Sequence, residues 1–121
     1  MTTPTLKKFM ALYLVPAPVI ADWGKTDPEV KRAAEQKVQG EWQKWLGDHA
    51  KSIALTEAGG KTKRLTVDGV SDTKNDILLY SIVDADTHEA AAKIFENHPH
   101  LQIPQASIEV MELKPMGPRK S

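Results

Sequence analysis

Residues Asp76–Pro115, DILLYSIVDADTHEAAAKIFENHPHLQIPQASIEVMELKP, decide the fold. Ile77–Val83 is short, apolar and rich in β-branched and aromatic residues, the composition of a strand. Leu78, Tyr80 and Ile82 share one face, and Ile77, Leu79, Ser81 and Val83 the other, so both faces are largely apolar. Asp86, with Glu89 three residues on, reads as a capping box that opens a helix. The inward face of that helix is Ala91, Ile94, Phe95 and His98, and Pro99 stops it. Ser107–Leu113 is a further strand, with Ile108 and Val110 to one side and Glu109, Met111 and Leu113 to the other. The unit reads strand, helix, strand.

Its N-terminal counterpart has the same form. Met1–Thr5 is a polar lead-in, and Lys8–Val15, KFMALYLV, is a strand. Phe9, Ala11 and Tyr13 point one way and Met10, Leu12 and Leu14 the other, again with both faces apolar. A strand with one wet face should alternate apolar and polar residues instead. Pro16-Ala17-Pro18 ends the strand, and the loop to Lys25 carries Trp23, read as a local plug or a ligand-stacking ring. A helix starts at Thr26-Asp27-Pro28-Glu29, capped by Asp27 with Pro28 first in the helix, or by a Thr26–Glu29 box. It runs to about Asp48 on a stripe of Val30, Ala34, Val38, Trp42, Trp45 and Leu46 that His49 continues. Gly40 is expected to kink it or to mark a close approach. Ser52–Ala58 is a strand, Gly59-Gly60 a hairpin turn, Arg64–Val67 a short extended piece, Asp68-Gly69 a turn and Ser71–Asn75 a polar loop. Pro115, Gly117 and Pro118 release the tail.

The 121 residues make a single domain, residues 1–121, with an ordered core of about 7–115. Sixteen basic and sixteen acidic side chains balance, against the basic excess of nucleic-acid binders. The clusters Lys61, Lys63, Arg64 and Arg119, Lys120 read as solvated loop and tail. There is no cysteine, which removes disulfides, thiolate metal sites and cysteine nucleophiles and fits a reducing compartment. No apolar run is long enough to span a bilayer and no secretory signal opens the chain, so the expected location is cytoplasmic.

Strand, helix, strand, strand, helix, strand is the ferredoxin-like βαββαβ order of an α+β domain. Two right-handed crossovers place both helices on one face of a four-stranded antiparallel sheet. The other face is then bare, yet its residues are apolar, and nothing in the chain remains to cover it. A second copy, packed sheet to sheet as a homodimer, is the economical cover. The competing reading is a monomer with a partly exposed sheet.

In order and spacing the chain resembles the YCII-like (YCII-related, DGPF-type) proteins of the dimeric α+β barrel superfamily. The likeness rests on KFMALYLV, on Trp42-Gln43-Lys44-Trp45-Leu46-Gly47, on the Thr66-Val67-Asp68-Gly69 turn, and on the block from Tyr80 to Leu113. The resemblance implies the same fold and dimer. Some members have a proposed His–Asp pair in a cleft near the dimer interface, and the superfamily includes isomerases, monooxygenases and lyases of small aromatic or lactone compounds. This chain departs from the pattern. Its DGPF stretch reads Asp68-Gly69-Val70-Ser71, His98-Pro99 stands where the pair has an Asp before a proline, and Gly40–Trp42 stands where it has the first-helix histidine. The pair therefore does not transfer.

Three constellations carry chemistry. His98 and His100 form a His-x-His pair, and imidazole ordinarily titrates near neutral pH. They serve as acid–base groups or metal ligands, or more simply as a dipole-favoured histidine at the helix end. Zinc would need a third ligand, from His49, His88, Glu109 or Asp48, none of them at a motif spacing, so no metal or other cofactor is expected. Trp42 and Trp45 share a helix face, as core or as the wall of a pocket. Tyr80, Ser81 and Glu109 come third. Glu109 is a candidate general base if the dimer desolvates it, or else a strand-end carboxylate reaching solvent. Gly59-Gly60-Lys61-Thr62 is no phosphate loop, since Leu55 occupies the position of its first glycine. The leading expectation is a cofactor-free homodimer that binds a small organic molecule in a cleft lined by Trp42, Trp45, Tyr80, His98 and His100. An isomerase or lyase using His98 or His100 for proton transfer, and a structural or regulatory dimer without ligand, are the alternatives.

Overall fold

A computed structural model describes residues 6–116. The lead-in Met1–Thr5, most of the tail and the Arg119-Lys120 pair lie outside the described residues. The chain is α+β, in the order β1 Lys7–Leu14, α1 Ala17–Gly24, α2 Pro28–Asp48, β2 Ile53–Ala58, β3 Thr62–Thr66, β4 Gly69–Thr73, β5 Ile77–Ala85, α3 His88–Lys93, a 3-10 turn Pro99–Gln102, and β6 Ser107–Glu112. The main sheet has four antiparallel strands ordered β2-β5-β1-β6, an arrangement compatible with a ferredoxin-like fold. β3 and β4 form a separate two-stranded hairpin between neighbouring strands β2 and β5.

The two-residue period of the strands sorts the main sheet. Phe9, Ala11, Tyr13, Ser81 and Val83 are buried beneath α2 and α3, with Trp45, Ala91 and Phe95 above them. Met10, Leu12, Leu14, Leu78, Tyr80 and Ile82 point away and are only half-buried. On this uncovered face Leu55 is 39%, Met111 48% and nearby Leu113 37% exposed. The chain exposes 9346 Å² in all, where a compact monomer of its size would expose about 6,500 Å². Even with about 1,600 Å² set aside as the most that ten residues, 1–5 and 117–121, could contribute, a surplus of about 1,200 Å² remains.

Several local expectations change. Pro16-Ala17-Pro18 starts a helix rather than a loop, because Pro16 sits at its N-cap and Pro18 in its first turn, where no amide donor is needed. Trp23 therefore rides on α1, donating to Glu35 at 3.3 Å. Asp27 caps α2 by accepting from the Val30 amide, and the helix passes through Gly40 with open space beside it. Thr87, not Asp86, caps α3, accepting from the Ala90 amide at 3.0 Å. The helix stops at Lys93 instead of reaching His98. Asn97 turns the chain with φ 60°, and Pro99 disfavours helical geometry at His98. Ser71–Asn75 is not wholly loop: Thr66 pairs with Gly69 around a two-residue turn, and the pairing runs on to Thr62 and Thr73. Gly59 bonds to the Leu78 carbonyl at 2.7 Å and so extends the β2–β5 pairing.

The sheet's buried face carries a chain of hydroxyls. Tyr13 Oη and Ser81 Oγ are 2.8 Å apart, and Thr56 Oγ1 lies 2.7 Å from the same Ser81 oxygen. Burial pushes the Tyr13 phenol up to about 12, against the opposing pull of Ser81. Ser81 is the shared partner, so Ser81→Ala strands two hydroxyls while Tyr13→Phe strands none. Urea denaturation should give a loss of about 2–3 kcal/mol for the first and about 1 kcal/mol for the second. Equal losses would count against the shared arrangement.

Candidate functional site

The site is built where the C-terminal half of α2 meets the 3-10 turn over β1. Residues Glu41, Trp42 and Trp45 of α2 are three and four apart and so share a helix face. Trp45 is buried, and Glu41 and Trp42 are half-buried. His98 stands among rings: its centroid is 4.3 Å from Trp45, 4.4 Å from Trp42, 5.3 Å from Tyr13 and 6.0 Å from Phe95. His49, at the end of α2, stacks on Trp45 at 4.4 Å, and its Nδ1 lies 2.9 Å from the Trp45 carbonyl.

His98 and His100 are each 1% exposed, and their hydrogen bonds assign their protons. The His100 amide donates to His98 Nδ1 at 2.9 Å, so His98 caps the 3-10 turn through an unprotonated Nδ1. The neutral ring then carries its proton on Nε2. His100 Nε2 lies 3.0 Å from the Leu14 carbonyl, which can only accept, so that nitrogen is also protonated. Burial, followed by the neighbouring His100 and His49, pushes the His98 pKa down to about 4. Burial lowers His100 too, against the backbone bonds to Leu14 and Ser107. Both rings are neutral at pH 7. The dipole-favoured helix-end histidine of the sequence reading is thus replaced by a neutral, turn-capping one.

Three buried polar atoms in this seam have no hydrogen-bond partner among the described residues: His98 Nε2, Trp45 Nε1 and Glu41 Oε1. The other Glu41 oxygen accepts from Gln102 at 2.6 Å, tying α2 to the 3-10 turn. Two of the three are N–H donors and the third an acceptor. His98 packs T-shaped against both indoles, and its free N–H finds no hydrogen-bond partner among the described residues. Ring faces are weak acceptors.

The candidates named from sequence divide between the two faces of the sheet. Trp42, Trp45, His98 and His100 come together. Tyr80 does not, because it follows Leu79 and precedes Ser81 on β5 and so faces the uncovered side. There its phenol is held above its ordinary range by desolvation and by Glu57. Glu109 is exposed on that same uncovered side, paired in register with Leu12, and Ser81 is on the opposite one. His88 stacks on Phe9 at 5.3 Å and lies 2.7 Å from the Val110 carbonyl. Among the described residues no group of three or more His, Cys, Asp or Glu side chains could hold a metal ion.

Sequence reading missed Tyr13, Glu41 and Gln102. Glu41 carried a signal, since it lies four residues before Trp45 and so shares the buried stripe. The aromatic cluster packs closely around His98. A shallow groove of about 290 Å³ opens on its flank, lined by Ala92, Phe95, Glu96, Leu101, Ile108 and Val110, and it shares Phe95 with the cluster. No described helix is long and apolar enough to cross a membrane. No protein-family model matches the chain, and no curated protein matches it.

Proposed function

We propose that this chain is a YCII-like homodimeric domain that binds a small organic molecule at the seam between α2, the 3-10 turn and the sheet. The unpartnered set of His98 Nε2, Trp45 Nε1 and Glu41 Oε1 carries this reading. Binding sites are mostly apolar with a few polar groups that fix orientation, and the aromatic walls and open donors here are of that kind. Leaving a buried donor unmade costs about 1–3 kcal/mol each. A ligand with a carbonyl or carboxylate oxygen on a flat ring would answer both N–H groups and stack on the indoles. The flanking groove, which ends on Phe95, is the route of approach.

The histidine-catalysed alternative asks His98 for a lone pair that it has already committed. Its Nδ1 caps the turn and its Nε2 bears the proton, so it is arranged to donate a hydrogen bond rather than to remove a proton. The same donor would polarise a bound carbonyl, which suits recognition first and electrophilic assistance second.

The test is a screen of small aromatic acids, ketones and lactones by tryptophan fluorescence and thermal melting, followed by titration of any hit. A hit should raise the melting temperature by binding the native state. His98→Asn keeps an acceptor for the His100 amide but loses the far donor, and it should weaken binding by at least tenfold. Absence of any hit across the library, or a hit that binds the variant equally well, would overturn the proposal.

A further inference from the structure

The β3–β4 hairpin is an apolar arm without a seat. One of its faces holds the cross-strand pair Leu65–Val70 beside the ion pair Lys63–Asp72, and Val67 is at the turn. Leu65 is 73%, Val70 66% and Val67 103% exposed. An isolated two-stranded hairpin is marginal in water, and three bare aliphatic side chains at its tip are a liability unless something covers them.

Resting on the homodimer reading, we propose that this hairpin is a dimerisation arm whose tip lies on the uncovered sheet face of the second copy, along the β6 strip Glu109, Met111 and Leu113. Four observations choose that occupant. The chain carries both halves of the contact, the apolar tip and the half-exposed Met111 and Leu113, so a two-fold dimer makes it twice. The surplus of about 1,200 Å² exceeds the roughly 800 Å² that each partner of a stable dimer buries. Charges complement each other: Lys61 stands at the base of the arm, and Glu109 on the strip is in no ion pair among the described residues. Reach suffices as well, since five-residue strands extend about 16 Å and packed sheets lie about 10 Å apart.

The chain has no cysteine, so site-directed cross-linking is clean. Val67→Cys and Met111→Cys are made as separate variants, mixed to exchange subunits, and treated with a short thiol cross-linker. A Val67–Met111 cross-link between copies is expected. In parallel, sedimentation of the otherwise unaltered chain is compared with Leu65→Ser/Val67→Ser/Val70→Ser, with circular dichroism confirming that the main sheet is kept. The triple variant should dimerise at least tenfold more weakly. If the unaltered chain sediments as single copies at tens of micromolar, the homodimer reading and the arm fall together. If it dimerises but the triple variant dimerises equally well, or cross-links form only between two Val67 positions, the arm alone is overturned.

Discussion

Trp45→Ala should lower the unfolding free energy by about 3–5 kcal/mol, the range for losing a large buried aromatic. Trp45 is 8% exposed and touches Phe95, His49 and His98 at centroid distances of 5.3, 4.4 and 4.3 Å. It is therefore the ring through which α2 rests on the α3 side of the core. Trp45→Phe should cost less than about 1.5 kcal/mol, because the lost nitrogen had no partner and much of the ring surface is kept. The contrast between the two variants is the informative quantity. Urea denaturation at pH 7 and fixed protein concentration measures it. A loss below about 1 kcal/mol for Trp45→Ala would mean that α2 is not seated as described.

Acid should destabilise the protein through His98. The unfolded ring takes a proton near pH 6.5, whereas the folded ring, desolvated and flanked by His100 and His49, takes it at about 4. Between those values the unfolded state binds more protons, so stability falls as pH falls through the window and this contribution is fully lost below about 4. A shift of that size corresponds to roughly 2–4 kcal/mol. His100 acts in the same direction. Carboxylates also titrate there, so the readout is a difference: His98→Asn should lose roughly 2–4 kcal/mol less than the unaltered chain between pH 6.5 and 4. Parallel curves would contradict a buried neutral His98.

Much of the architecture was legible because it rests on burial. Two strands apolar on both faces, a long amphipathic α2 and the two strands of the second strand–helix–strand unit all stand within a residue or two of where periodicity puts them, whereas the helix between those strands ends five residues early. The misses have local causes. Proline was read as a terminator at 16 and 18, although at a helix start it is a tolerated residue. His98 looked like the last turn of a helix, because its spacing from Ala91, Ile94 and Phe95 is helical, but Asn97 and Pro99 override that spacing. The β3–β4 hairpin gave little apolar alternation, since its cross-strand pairs mix Lys63–Asp72 with Leu65–Val70. At the site, Trp42, Trp45, His98 and His100 were readable as one group. Tyr80 was placed on the right strand face, with Leu78 and Ile82, but that face is the uncovered one and not the one against the helices. Which nitrogen of His98 is free depends on one backbone bond that no sequence pattern announces.

His98 is a buried, neutral ring that offers an unpartnered Nε2–H. Nitrogen-15 chemical shifts of the histidine side chains, followed from pH 8 to pH 3, test this directly. The expected result is a His98 ring with Nδ1 bare and Nε2 protonated, unchanged through neutrality and titrating at about 4. A His98 that titrates near 6.5, or that carries its neutral-form proton on Nδ1, would contradict a buried, neutral, Nε2-protonated ring.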